Sequence, residues 1–284
     1  MVDVGTLPDY SSVLADHDYP IGASLREKPQ PIIPHTHDFC EVAVVAAGSA
    51  VHRCQDGTQP VGPGRVIAIR PGAWHAFDDP DELSLLNLCF APDLLLNDLA
   101  WSLESPVLAT LLLRGGISDE TLTAQQLQDV CGWFDQLAAL RVAPPAPTST
   151  TILQRCLLGC ILGHISTLTV AGSASARISA AVHAAMAQVS ADPGHPWTLA
   201  EMASAAALSP SALQRRFKSE TGLTPLHWLA RVRAEQFAVQ LVASDEPIAT
   251  IGHRVGWPDP NYASRRFRQL HGCSPTEFRR AFSP

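Results

Sequence analysis

The stretch WTLAEMASAAALSPSALQRRFKSETG, Trp197 to Gly222, decides the fold. It opens on T-L-A-E, Thr198 to Glu201, where a threonine N-cap and a glutamate three residues on can satisfy each other's backbone N–H groups and start a helix. That helix is predicted to run to Ala207. L-S-P follows, with Ser209 as the next N-cap and Pro210 at the first helical position, where its missing N–H costs nothing. Ala203, Ala207, Leu208, Leu213 and Phe217 form an inward set, at offsets of 4, 5, 10 and 14 from Ala203. These are the spacings of two helices crossed over a tight turn.

The pattern recurs downstream. Gly252, Gly256, Trp257, Ala263 and Phe267 stand at offsets of 4, 5, 11 and 15, which one extra turn residue explains. Each copy is followed by a related phrase, ETGLTP from Glu220 and LHGCSP from Leu270. The repeat predicts two helix-turn-helix units about fifty residues apart. With Leu213 and Phe217 inward, Ser211, Gln214, Arg215 and Lys218 lie outward or at the flank of the first unit's second helix, and Asn261, Ser264, Arg265 and Arg268 are their equivalents. Arginine pairs with guanine, and glutamine or asparagine with adenine, in the major groove at roughly 1–3 kcal/mol per good contact. Two such faces at matching positions favour double-stranded DNA over a merely solvated surface.

From Arg177 to Arg280, the opening stretch, the central RVRAEQFAVQLV and the closing IATIGHRVGW and FRQLHGCSPTEFRR resemble the AraC/XylS family of bacterial transcription regulators. The resemblance implies two helix-turn-helix subdomains joined by a long helix, here Pro225 to Ala243, with recognition helices entering successive major grooves on one face of the DNA. It carries DNA contacts onto Ser211, Ala212, Gln214 and Arg215, and onto Asn261, Ser264 and Arg265. Three positions depart from the family pattern: Ala207 where the first turn often has Gly, Gly252 where the helix usually has Ala, and Ala263 in place of a bulky aromatic. Gly252 should cost about 1 kcal/mol of helix propensity. Ala263 should leave a void, part of which Trp257 is expected to fill.

The remainder differs in charge. Ser173 to Pro284 carries 12 Lys and Arg against 8 Asp and Glu, a balance of +4, whereas the rest carries 8 against 19, or −11. A basic tail on an acidic body fits a nucleic-acid-binding unit joined to something that does not touch phosphates. The 284 residues are enough for two cores. The N-terminus has no signal-peptide pattern and no apolar run approaches a spanning length, so a cytoplasmic protein without membrane contact is expected. The seven cysteines include no C-x-x-C pair and are expected to act as small buried apolar residues. Cys156 and Cys160, four apart on a helix, leave a thiol sensor open as an alternative.

Residues from about 20 to 90 read as β: EVAVV, RVIAI and LSLLNLCF are separated by the turns QDG, GPG and RPG. Pro92 to Val170 changes to helical periodicity, broken by APPAP at Ala143 to Pro147, and AGSASA at Ala171 to Ala176 reads as a linker. The segment from Ile152 to Ile165 is apolar on nearly all sides and needs a partner, within the domain or in a second subunit of a homodimer. Within the β region, PHTHDFCEVAVVAAG, Pro34 to Gly48, carries His35, His37 and Glu41 at even steps, so strand alternation would turn all three to one side. A facing strand could bring His75 opposite them. Three imidazoles and a carboxylate could hold a divalent transition metal such as Zn, Ni, Fe or Mn.

These spacings are similar to the two motifs of a cupin barrel, and sensor domains of AraC-type regulators are themselves cupin-like. The same residues can therefore contact a small-molecule effector or brace the barrel. The expected fold is multidomain α+β: a cupin-like β-barrel sensor at 1–90, a helical dimerisation region at 91–171, and an all-α DNA-binding domain at 177–284. The expected function is that of an effector-controlled transcription regulator, an activator working with RNA polymerase. The alternative is a metal-dependent cupin enzyme fused to a DNA-binding domain.

Overall fold

The computed structural model describes residues 21–28, 30–142, 148–170 and 178–282. The APPAP breaker and the AGSASA linker lie outside the described residues.

Among the described residues, the N-terminal half holds one seven-stranded antiparallel sheet. Its strands are β1 (Ile21–Lys28), β2 (Ile32–His35), β3 (Cys40–Cys54), β4 (Gly57–Val61), β5 (Val66–Ile69), β6 (His75–Phe90) and β7 (Gly116–Ile117). Neighbours run β1-β6-β3-β5-β7, with β2 added to β6 and β4 to β3. The long strands β3 and β6 slip register between Val45 and Val51. Before the slip β3 pairs with β5 and the end of β6; after it, with β4 and the start of β6. Bulges bend and twist a strand, and here they fold the sheet over itself. Ala43, Val45 and Ile69 from one limb meet Ala50, Val61 and Phe77 from the other in a single interior cluster. The opposite face, with Val42, Val44, Leu86 and Leu88, is buried against helices. Each of the three turn phrases has a glycine at positive φ: Gly57, Gly64 and Gly72.

Two 3-10 turns, Pro92–Leu96 and Ala100–Glu104, lead to α1 (Pro106–Arg114), α2 (Ala124–Val142) and α3 (Thr148–Ile165). In α3 the inner face buries Leu158, Ile161, Leu162 and Ile165, but Ile152 and Leu153 stay 55% and 52% exposed. Cys156 and Cys160 share that outer face and are exposed, which corrects the expectation of buried thiols; Cys40 and Cys89 are buried as expected.

Among the described residues, the elements of the C-terminal half are all helices: α4 (Ala180–Ala191), α5 (Leu199–Ala205), α6 (Pro210–Thr221), α7 (Pro225–Ala243), α8 (Ile248–Arg254), α9 (Pro260–His271) and α10 (Pro275–Phe282). The Thr198–Glu201 capping box forms in both directions. The helix it starts ends at Ala205, not Ala207. Ala207 adopts φ 51 and is exposed, and Ala206 takes the buried place assigned to it. The reason is the turn itself. Leu208 N–H donates to Ala203 C=O and Ala207 N–H to Ser204 C=O, a Schellman closure that requires a left-handed residue at 207. The turn before α9 repeats this closure, with Gly256 at the left-handed place (φ 83).

The first module shares a continuous core with the sheet and helices of the N-terminal half, through Met202, Leu213, Phe217 and Trp228. The second has its own core around Phe237, Ile251, Trp257, Phe267 and Phe278. Each fully buried large side chain contributes roughly 1.5–3 kcal/mol. The void expected at Ala263 is narrowed by a close approach of α8 and α9. A Cβ placed on Gly252 would lie 3.6 Å from that of Ala263 and 3.2 Å from the Trp257 carbonyl oxygen. A side chain at Gly252 would press on the Trp257 carbonyl, whereas its contact with Ala263 would be an ordinary one.

Candidate functional site

The two recognition faces are set by caps and buried anchors. Ser209 Oγ accepts from Ala212 N–H, and Pro210 opens α6. Leu213 and Phe217 are buried, which leaves Ser211, Gln214, Arg215 and Lys218 exposed and Ala212 half-buried. In α9 the cap is Asp259, whose Oδ1 accepts from Tyr262 N–H at 2.9 Å. Ala263 and Phe267 turn inward, so Asn261, Arg265 and Arg268 are exposed and Ser264 half-buried. Arg268 lies 3.5 Å from the Glu277 carboxylate of α10, so its charge is already partly engaged.

In the sheet, the ligand atoms of His37, Glu41 and His75 all lie within 4.8 Å of one another, and all three side chains are buried. His37 sits in the link between β2 and β3, where its Nδ1–H donates to the Phe39 carbonyl at 2.8 Å. That bond fixes the tautomer and leaves Nε2 to present its lone pair, 3.4 Å from Glu41 Oε2. Burial, then His35 beside it, pushes the His37 pKa down to about 3, so the imidazole is neutral at pH 7. Burial first, and then the neighbouring histidines, hold His75 well below its ordinary value. A neutral imidazole thus presents Nε2 toward a buried carboxyl group, with the second imidazole of His75 close by. Those three ligand types at that separation could hold a metal ion.

His35 does not join this group. It ends β2, half-buried, its Nδ1 at 3.0 Å from the Ile33 carbonyl and its ring 4.1 Å from that of His75. Even spacing would keep His35 and His37 on one strand, but the strand stops at His35. His52 was not foreseen at all. It is 3% exposed, its ring lies 6.2 Å from that of His75, and burial lowers its pKa to about 4. His52 is an odd step from Glu41, so plain alternation would send it to the other face; the β3 bulges reverse the parity. Together with His75, Ile67 and Trp74 it lines a cavity of about 100 Å³ that reaches Arg70, Arg114 and Arg231.

That cavity abuts the joint between the halves. Arg70, in the turn before β6, makes a bidentate pair with Glu235 of α7, Nε to Oε1 at 3.0 Å and Nη2 to Oε2 at 2.7 Å. Its Nη1 donates to the Leu112 carbonyl at 2.9 Å, and Arg231 of α7 donates to the Arg114 carbonyl. Two residues on, Gly72 N–H donates to the His37 carbonyl at 2.8 Å. A Cβ on Gly72 would come within 2.6 Å of that of Ala238. One short turn thus touches the histidine group on one side and α7 on the other.

A family model described as an AraC-like ligand binding domain matches residues 22–141, and one described as a helix-turn-helix domain matches residues 202–281. The chain belongs to the AraC family of transcription regulators. It is 26% identical to the HTH-type transcriptional activator RhaR of Mannheimia succiniciproducens, over 99% of both chains. It is 35% identical to a putative AraC-like transcription regulator of Streptomyces antibioticus, over 47% of this chain and 46% of that one. The solved structure of ToxT from Vibrio cholerae shares the fold over 93% of this chain and 98% of its own, with a TM-score of 0.54 at 13% identity.

Membership in the AraC family resolves the choice left open by the histidines. The chain is a DNA-binding regulator with a ligand-binding domain, and the reading as a fused cupin enzyme gives way to it. Among the described residues, no helix is long and apolar enough to cross a membrane. One further surface residue escaped the sequence reading: Tyr262, 43% exposed beside Asn261 on α9. Its signal was available, since it lies next to a residue already assigned outward.

Proposed function

We propose that this AraC-family regulator activates transcription in the cytoplasm, reading duplex DNA with α6 and α9. Ser211, Ala212, Gln214, Arg215 and Lys218 would serve one groove, and Asn261, Ser264, Arg265 and Arg268 the next. RNA polymerase is the partner an activator needs. The segments 1–90, 91–171 and 177–284 divide the work among sensing, pairing and DNA binding. The exposed Ile152 and Leu153 on α3 support a homodimer through that face, which would raise affinity on repeated half-sites by effective concentration alone.

The single observation behind the sensing role is the buried convergence of His37, Glu41 and His75, whose ligand atoms lie within 4.8 Å of one another. Two imidazoles and a carboxylate suit a divalent transition metal, and His37, Glu41 and His75 would hold it, with His35 and His52 flanking. Such an ion would draw the three side chains together. Any shift of the His37 backbone would pass through Gly72 to Arg70 and so to Glu235 on α7. A ligand can bias α7 only by binding one arrangement better than the other, and this turn is where that difference would register.

Two measurements test the reading. On an operator selected from random duplexes, Arg215→Ala should cost roughly 1–3 kcal/mol and relax preference at one base pair; an equal loss on random DNA would reduce Arg215 to a phosphate contact. Elemental analysis and Zn²⁺ titration should find one ion per chain, lost in His37→Ala/His75→Ala. An unmutated chain that takes up no Zn, Ni, Fe or Mn would end the metal assignment and leave the cluster to an organic effector.

A further inference from the structure

The two helix-turn-helix modules touch at a point that α7 alone does not explain. Arg233, on α7 and 9% exposed, donates from Nε to the Pro193 carbonyl at 2.8 Å and from Nη2 to the His195 carbonyl at 2.7 Å. Pro193 and His195 belong to the loop that leads into the first module. The same guanidinium lies against Gly256 of the second module's turn, where an added Cβ would be 2.6 Å from Nη2 and 2.7 Å from Cζ. A second contact runs directly between the modules. A Cβ on Gly194 would sit 2.6 Å from the Arg254 carbonyl oxygen at the end of α8.

Both sides of this joint are stiff. The first-module loop is tied by Trp197 Nε1 donating to the Asp192 carbonyl at 2.8 Å and by His195 N–H donating to Asp192 Oδ1 at 3.2 Å. On the other side Arg254 is held by Gln240 at 3.0 Å and Glu246 at 2.6 Å. The planar fork of an arginine suits two carbonyls at fixed positions in a way that a lysine ammonium cannot copy.

We propose that Arg233 is a positioning residue: by clamping the 193–195 loop against the Gly256 turn, it fixes the angle between α6 and α9. It thereby sets the spacing of the two DNA boxes that one subunit accepts. Inserting one base pair between the boxes moves the second groove by about 3.4 Å along the axis and about 34° around it. A rigid joint cannot follow, so either the DNA deforms or one helix leaves its groove. This inference rests on the reading that α6 and α9 both enter DNA.

The test uses the full chain and a duplex recovered by selection from a random library with the unmutated protein. Affinity is measured on that duplex, on versions with one base pair added or removed between the boxes, and on a duplex keeping the first box only. The unmutated chain should lose roughly tenfold or more at either altered spacing. Arg233→Ala and Arg233→Lys should bind the three spacings within about threefold of one another while matching the unmutated chain on the single box. Gly194→Ala, which pushes the Arg254 carbonyl without removing a charge, should move the optimum spacing. A uniform loss on every duplex with the spacing profile retained would make Arg233 merely structural and overturn the proposal, as would an unmutated chain indifferent to spacing. Failure of the unmutated chain to select any duplex would instead bring down the DNA-reading assignment beneath it.

Discussion

The two turns of the DNA-binding domain use the same hydrogen bonds and different residues. In the first, Ala207 holds the left-handed place at φ 51, exposed, with a strain of about 1–2 kcal/mol for its Cβ. In the second, Gly256 holds it at φ 83, and the space a Cβ would need is taken by Arg233. The position before each helix-ending glycine differs too. Thr221 donates from Oγ1 to the Phe217 carbonyl at 2.7 Å, whereas His271 stacks on Phe267 with ring centroids 4.3 Å apart. A repeated backbone path therefore does not impose a repeated side chain. What lies beside the path decides whether a position needs glycine, tolerates alanine or buries a titratable ring.

The sharpest way to break this comparison is to exchange the turn residues. Gly256→Ala should destabilise the second module by about 2–4 kcal/mol, through the left-handed Cβ and its collision with Arg233. Hydrogen exchange should show α8 and α9 opening while α5 and α6 keep their protection; unchanged protection would mean that the collision is relieved elsewhere.

Acid comes next in size. Burial pushes the His271 pKa down to about 4, against about 6.5 when exposed. Between these values the unfolded chain binds a proton that the folded one refuses. Stability is thus complete above pH 6.5 and falls as pH drops toward 4, by about 2 kcal/mol at pH 5. His271→Gln should flatten this dependence in the exchange of α9 and α10. Should the dependence survive the substitution, another group would be its source.

The smallest effect should be a gain. Ala207→Gly relieves the first turn and should stabilise its module by about 1 kcal/mol, or about 4–8 °C in its unfolding midpoint. A lower midpoint would show that the alanine is not strained.

The DNA-binding half was legible because its signals are local. Thr198, Ser209, Pro210, Leu213 and Phe217 each announce their own position, and the second copy checks the first. The one misplacement there, Ala207 as an inward helical residue, arose because no sequence rule separates a left-handed alanine from a helical one. The sensor was legible only in part. Glu41 and His75 come together across strands, but β2 stops at His35, which stands apart from His37 and Glu41, and His52 was missed because the bulges of β3 reverse its parity. Bulges depend on the partner strand and leave little trace in the bulged one. The Arg70–Glu235 pair, 165 residues apart in the chain, had no signal at all.

That pair also limits how freely such regulators can be recombined. An exchange of sensor domains that brings a neutral residue to position 70 would take the bidentate partner from buried Glu235 and leave it only the longer contact to Arg231 Nε at 3.4 Å; breaking a buried pair costs up to about 3–5 kcal/mol in comparable settings. The hybrid would pry its halves apart to rewet that carboxylate, and would answer its inducer poorly even with both parental domains intact. Modular grafting in this protein therefore obeys a two-residue compatibility rule: an arginine at 70 travels with a glutamate at 235, or both are replaced together.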